Sequence, residues 1–295
     1  MAASSEALGR GASCDDVVAD LDLTGRVALV TGSNSGLGYE TVRCLALAGA
    51  RVIVGCRTRA KARATIARVQ GDYPHVEMVP LGFDLRSGES IRRGLGELDD
   101  PVVDTIVCNA GLFRGKYAET ELGVEETMGV CHFGHFLLVH ELLERLKPQR
   151  GTGRVVMVAS DAHAKKIDLE KFTRIKPAFP AYAQAKLCNM LMAVELERRF
   201  GERGIHGFAV HPGALIPTNI TRHSMMSDIV TQLARPFTKT VQQGAACQVY
   251  VAATPGLEKG AGRYFMDCVE KDMGLGDMGA VARQLWERTA EIWGV

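Results

Sequence analysis

The sequence predicts an α/β protein built on one seven-stranded parallel sheet with helices on both faces. Three observations carry that expectation. Short apolar runs rich in β-branched residues alternate with apolar-periodic stretches of helical length along the 295 residues. Strands alternating with helices require right-handed crossovers, hence parallel pairing. A glycine-rich turn, T-G-S-N-S-G-L-G at 31–38, joins the first such run to the first helical stretch, and a helix N-terminus behind glycines accommodates a phosphate group. The composition, 46% hydrophobic and 23% charged, is that of an ordinary globular chain with material for a large core.

Residues 1–22 are small and polar and read as a mobile extension with a short helix at 14–21. The domain then runs over 23–295 without an internal repeat, low-complexity block or linker. Its first strand is R-V-A-L-V-T at 26–31, followed by a helix at 39–48. A strand at 51–56, a helix at 61–69, a strand at 76–83, a helix at 88–98 and a strand at 102–108 continue the alternation. A long helix at 121–146 precedes the fifth strand, 153–160. A polar, basic, proline-bearing excursion at 161–180 then leads into a helix running from Tyr182 to about Arg203. The sixth strand, 205–210, ends in H-P-G. Met226, Ile229, Val230, Leu233 and Phe237 form one apolar helical stripe, read as local packing, with a lid over substrate or docking on a membrane surface as the sharper alternatives. A helix at 242–253, a seventh strand at 263–265 and a helix at 279–293 complete the chain.

Ligands bind such sheets beyond the carboxyl ends of the strands, and Gly32, Arg57, Asp84, Asn109 and Ser160 all fall there. The glycines at 32, 36 and 38 let the backbone approach a pyrophosphate. Arg57 stands where a ribose 2′-hydroxyl or 2′-phosphate would lie, and a guanidinium suits phosphate, so NADP is expected over NAD; the plain alternative is a solvated loop arginine. Tyr182 and Lys186, one helical turn apart, project into the same space. A cation held near a phenol favours its ionised form, which makes the pair a proton donor. Cys131, His132, His135 and His140 sit in one helical stretch but lack a supporting carboxylate motif, so they read as core packing and no metal is expected.

Lysine plus arginine nearly cancels aspartate plus glutamate, giving a net charge of +1, and with no basic arm the chain is not expected to bind nucleic acid. No apolar run approaches the roughly 20 residues that span a bilayer. The eight cysteines are scattered without C-x-x-C spacing, which fits reduced, buried thiols in a cytoplasmic setting.

The motifs T-G-S-N-S-G-L-G (31–38), D-L (84–85), N-A-G (109–111), V-A-S ending at Ser160, Y-A-Q-A-K (182–186) and H-P-G (211–213) together resemble a short-chain dehydrogenase/reductase from Leu23 onward. C-R at 56–57, H-F-G-H-F-L-L at 132–138, K-L-C-N-M-L at 186–191, Q-Q-G-A-A at 242–246 and G-R-Y-F at 262–265 are most similar to the branch holding retinol dehydrogenases, WW-domain oxidoreductases and light-dependent protochlorophyllide reductases. The resemblance implies a single-domain Rossmann fold with Ser160, Tyr182 and Lys186 as catalytic residues. NADP(H) would be bound by Gly32, Ser33, Asn34, Ser35, Gly36, Leu37, Gly38, Arg57, Asp84, Leu85, Asn109, Ala110, Gly111, Tyr182, Lys186, Pro212, Gly213 and Thr218. Tyr182 would exchange the proton with the substrate oxygen, Lys186 would favour the phenolate and bond the nicotinamide ribose, and Ser160 would stabilise charge on that oxygen.

The implied activity is hydride transfer between nicotinamide and the carbonyl or alcohol of a hydrophobic substrate, retinoid-, isoprenoid- or polycyclic-like, with a homodimer left open. The alternatives are a cofactor-binding regulatory protein that has lost turnover and a pigment photoreductase. The first is prompted by Cys131, which stands where the family usually has an asparagine that helps relay protons to the lysine. The second is weakened because photoreductases resemble P-G-C where this chain has Pro212, Gly213 and Ala214.

Overall fold

A computed structural model describes residues 8–100, 102–113, 115–146, 153–213 and 239–295. Among the described residues eight strands form one sheet: β1 Val27–Thr31, β2 Arg51–Cys56, β3 Met78–Gly82, β4 Thr105–Cys108, β5 Gly153–Val158, β6 Ile205–His211, β7 Tyr264–Met266 and β8 Val269–Lys271. Their order is β3-β2-β1-β4-β5-β6-β7-β8. All pairs from β3 to β7 are parallel. The order reverses between β1 and β4, and a crevice opens beyond their carboxyl ends at such a switch point.

The expected all-parallel, seven-stranded sheet is corrected by β8, which pairs antiparallel with β7. The two strands are joined by Asp267 and Cys268, whose φ values of 56° and 60° are those a two-residue hairpin turn requires. Three exposed residues, V-E-K, give no periodicity to read, and Asp-Cys is not among the usual turn pairs.

The helices are α1 Cys14–Val18, α2 Gly36–Leu47, α3 Arg59–Asp72, α4 Gly88–Gly96, α5 Glu126–Met128, α6 Gly134–Leu142, α7 Ala178–Phe200, α8 Val241–Ala253 and α9 Gly279–Trp293, with a π turn over Gly129–Phe133 between α5 and α6. Side chains alternate across the sheet as its pleat demands. Val30, Val54, Val107 and Val156 join the core with residues of α2 and α8. Leu29, Ile53, Ile106 and Val155 join the other, with Phe136 and Leu142 of α6 and Met190 of α7. Both faces are therefore covered, and strands so covered read as continuous apolar runs.

Part of the extension expected to be mobile over 1–22 is packed against the domain. In α1, Cys14, Val17 and Val18 lie on one face and are buried. Ser13 and Asp16 close a capping box at its start, and Asp15 pairs with Arg43 of α2 at 2.7 Å. One five-residue turn is too short to show periodicity in the sequence. The helix expected over 121–146 begins instead at Glu126, ends at Leu142 and is broken by the π turn. The 161–180 excursion ends earlier than expected, with α7 beginning at Ala178; Pro180 is tolerated in its first turn, where a backbone donor has no helical partner.

Candidate active site

The glycine turn closes over the ends of β1 and β4. Gly32 has φ +69°, and a side chain there would place Cβ 2.8 Å from the Ala110 α-carbon. At Gly38 a Cβ would lie 2.4 Å from the Gly32 carbonyl oxygen, so the helix can start this close to the turn only without one. The first turn of α2 carries no acidic residue, leaving its positive end to face an anion. The Asn109 amide donates to the Thr31 carbonyl at 2.8 Å, tying the N-A-G segment to the glycine turn.

A cleft of about 480 Å³ opens at this edge. Gly32, Asn34, Ser35, Gly36, Leu37, Gly38, Arg57, Asp84, Leu85, Asn109, Ala110, Gly111, Tyr182, Lys186 and Pro212 line it. Three residues named from sequence do not. Ser33 is fully buried, and its hydroxyl donates inward to the Val30 carbonyl at 2.6 Å. Gly213 packs against the Lys239 stem, and Ser160 lies just beyond the lining residues Val158 and Ala159. Thr218 lies outside the described residues, as do Ala214 and the stripe from Met226 to Phe237.

At the far end of the cleft, Arg57 and Lys61 are exposed cations on the same lining. Lys61 was not named from the sequence. Its signal was available: it stands four residues beyond Arg57, in the first turn of α3, which Thr58 caps. Asp84 is bonded by Arg86 at 2.5 Å, and Arg86 also reaches Glu126 at 2.9 Å. Burial pushes the Asp84 carboxyl up, but the Arg86 hydrogen bonds and the charges of Arg86 and Arg57 outweigh it and hold the group below its ordinary range.

At the near end, the Lys186 ammonium is buried and donates to the Val158 carbonyl at 2.8 Å. It lies 5.4 Å from the centre of the Tyr182 ring. Asn189, one turn further along α7, donates to the same carbonyl at 3.1 Å. The Phe113 ring meets Tyr182 edge-on at 5.9 Å and, with Leu112 and Val130, adds apolar lining. These three follow N-A-G or lie on the π turn, and nothing in their spacing marks them. Ser160 accepts from the Ala162 backbone at 3.1 Å, which leaves its own hydroxyl proton free to be donated. In the excursion before α7, Phe172 is buried and stacked on Phe133 at 5.4 Å, whereas Phe179 is exposed.

Cys131 lies on the π turn, a geometry that recurs at functional sites. A Cβ on Gly111 would lie 3.5 Å from its sulfur and 3.9 Å from the Lys186 nitrogen, so thiol and ammonium flank the same glycine. Burial pushes the Cys131 thiol up, with the Lys186 charge pulling the other way, and among the described residues it makes a long hydrogen bond to the Leu112 carbonyl, 3.8 Å. His135 ties this turn to the glycine turn. Its Nδ1–H donates to the Cys131 carbonyl at 3.0 Å, so Nε2 must accept from the Thr31 hydroxyl at 2.8 Å. Thr31 in turn accepts from the Ala110 backbone at 2.8 Å.

The cradle that side chains would fill, the acid-free helix start and the two cations suit a dinucleotide carrying phosphates. Comparison with known proteins agrees. A family model described as short chain dehydrogenase matches residues 26–227. The chain is 38% identical over 270 residues to the WW domain-containing oxidoreductase of Homo sapiens, covering 86% of this chain and 64% of that protein. It therefore spans just under two thirds of that relative's length. It is 36% identical over 283 residues to retinol dehydrogenase 12 of Homo sapiens, covering 94% of this chain and 89% of that protein. Among solved structures, an uncharacterized protein from Mycobacterium Paratuberculosis superposes with a TM-score of 0.72 at 30% identity, covering 94% of this chain and 97% of that one. A gluconate 5-dehydrogenase from Burkholderia cenocepacia J2315, in complex with NADP and tartrate, superposes with a TM-score of 0.66 at 23% identity, covering 86% and 96%, a likeness of fold alone. With the motif order, the sheet order and the family match all in agreement, the chain belongs to the short chain dehydrogenase family.

Proposed function

We propose that this chain transfers hydride between NADP(H) and the carbonyl or alcohol of a hydrophobic substrate of retinoid, isoprenoid or polycyclic type. One juxtaposition carries the reading: Tyr182 and Lys186 line the same cleft as the glycine turn and the cations Arg57 and Lys61. When bound, the nicotinamide supplies or takes the hydride. Arg57 and Lys61 support NADP over NAD, since a 2′-phosphate gains from two cations and no carboxylate projects from the end of β2. The name of retinol dehydrogenase 12 and the apolar lining by Leu112, Phe113 and Val130 support an apolar substrate. Eight free, buried cysteines support a reducing, cytoplasmic setting.

In this reading Tyr182 gives its phenolic proton to the carbonyl oxygen during reduction and recovers it during oxidation. Lys186, fixed by the Val158 carbonyl, keeps two further N–H groups for the nicotinamide ribose and for returning the proton. Ser160 donates to the substrate oxygen as charge develops there. A second reading, cofactor binding without turnover, rests on Cys131 in place of the usual amide. A panel of aldehydes, ketones and alcohols followed by NADPH absorbance separates the two. Turnover should appear and fall about 10²–10⁴-fold in Tyr182→Phe with NADPH affinity retained. No turnover on any member, with tight NADPH binding, would favour the second reading.

A further inference from the structure

A dithiol stands away from the cleft, where α1 meets α2. Cys14 and Cys44 are fully buried, and their sulfurs and a carboxylate oxygen of Asp15 all lie within 4.8 Å of one another. The polar surroundings of the two sulfurs differ. The Cys44 thiol donates to Asp15 at 3.9 Å, whereas Cys14 accepts from an Arg43 guanidinium nitrogen at 3.8 Å. Arg43 also grips both Asp15 oxygens, at 2.8 and 2.7 Å. Contact with Cys14 and then burial push the Cys44 thiol up, so Cys44 is the thiol of the pair that keeps its proton. Three such donors could suit a soft divalent metal, but Arg43 already occupies the carboxylate with a permanent positive charge. Access runs through α1. The Asp15 side chain is 51% exposed, and a helix of five residues opens locally far more readily than the sheet behind it.

We infer that Cys14 and Cys44 are an oxidisable pair that closes to a disulfide under a peroxide, fastening α1 to α2. The Cys14 sulfur attacks one peroxide oxygen, the O–O bond breaks, and the Cys14 proton leaves with the departing hydroxide as water; Cys14 is then a sulfenic acid. Cys44 attacks the Cys14 sulfur; the S–O bond breaks, and the departing hydroxide takes the Cys44 proton as a second water. The two sulfurs together lose two electrons, and the peroxide gains both. A thiol reductant reverses the bond by exchange.

The test treats the folded, full-length protein with hydrogen peroxide, blocks remaining thiols with N-ethylmaleimide in denaturant, and maps unreduced peptides by mass spectrometry. A Cys14–Cys44 peptide pair, two hydrogens lighter than the thiols and lost on dithiothreitol, is expected. Closing a loop of about 30 residues should raise the unfolding midpoint by roughly 5 °C, and Cys14→Ser should lose both effects. A link between Cys247 and Cys268 in its place, a sulfinic acid at Cys14 without a link, or free thiols at both positions under peroxide that oxidises exposed methionine would each overturn the inference. So would stoichiometric zinc in the purified protein that is released only when these two cysteines are modified. If Cys14→Ser fails to fold, the wild-type peptide map alone decides.

Discussion

Lowering the pH from 7.5 to 5.5 should destabilise this fold by about 2.7 kcal/mol through two histidines alone. His132 and His135 are buried, and burial favours the neutral ring of each. Thr289 donates its hydroxyl to the Leu285 carbonyl at 2.7 Å, so it must accept from His132 Nε2–H, 3.1 Å away. His132 Nδ1 has no partner among the described residues, and protonation would bury a cation there with no acceptor. Burial pushes His132 down to about 3 and His135 down to about 4, against roughly 6.5 in an unfolded chain. Below pH 6.5 the unfolded state therefore binds protons that the native state refuses, and stability present above that pH is lost as the pH falls. Over the two units each histidine contributes about 1.4 kcal/mol, a large share of a typical stability of roughly 5–15 kcal/mol. His211, also lowered by burial, adds in the same direction. Urea unfolding at both pH values, for wild type and His132→Gln, measures the difference; other groups cancel between the two proteins. The variant should lose about 1.4 kcal/mol less than wild type on acidification. Equal losses would refute the claim that His132 is buried and neutral.

Other substitutions test the site. Arg57→Ala should weaken NADPH binding about tenfold, the worth of one charge-assisted contact, with NADH unaffected, and Lys61→Ala should act in the same direction; equal wild-type affinities for the two cofactors would reject the assignment. Gly38→Ala places a methyl against the Gly32 carbonyl, so titration by NADPH fluorescence should show binding weakened by more than about tenfold with a lowered unfolding midpoint. Cys131→Asn should raise turnover by less than about tenfold, against the larger loss in Tyr182→Phe. If wild type is silent on a broad substrate panel and Cys131→Asn switches turnover on, the natural chain is a cofactor binder.

What the sequence disclosed and what it hid follow from the range of the interactions involved. The first seven strands and the cleft residues at their ends were legible because a parallel sheet buried on both faces needs apolar runs, and its switch point needs glycine where backbones meet. The seating of α1 was not legible, since its burial depends on α2 and α8, remote in sequence. Nor was the direction of a single side chain in an irregular segment: Ser33 turns inward to Val30 and Phe172 stacks in the core, while neighbours of similar character face the cleft. Cys131 is the instructive case. The letter was visible as a departure, and a thiol in place of an amide suggested a weakened proton relay to the lysine. Yet Lys186 is held by the Val158 carbonyl, a backbone group of β5, and Asn189 braces the same carbonyl from α7. Neither contact passes through position 131. The position of the ammonium is therefore set by the strand and by its own helix, and the residue at 131 can affect only what lies between Lys186 and the π turn.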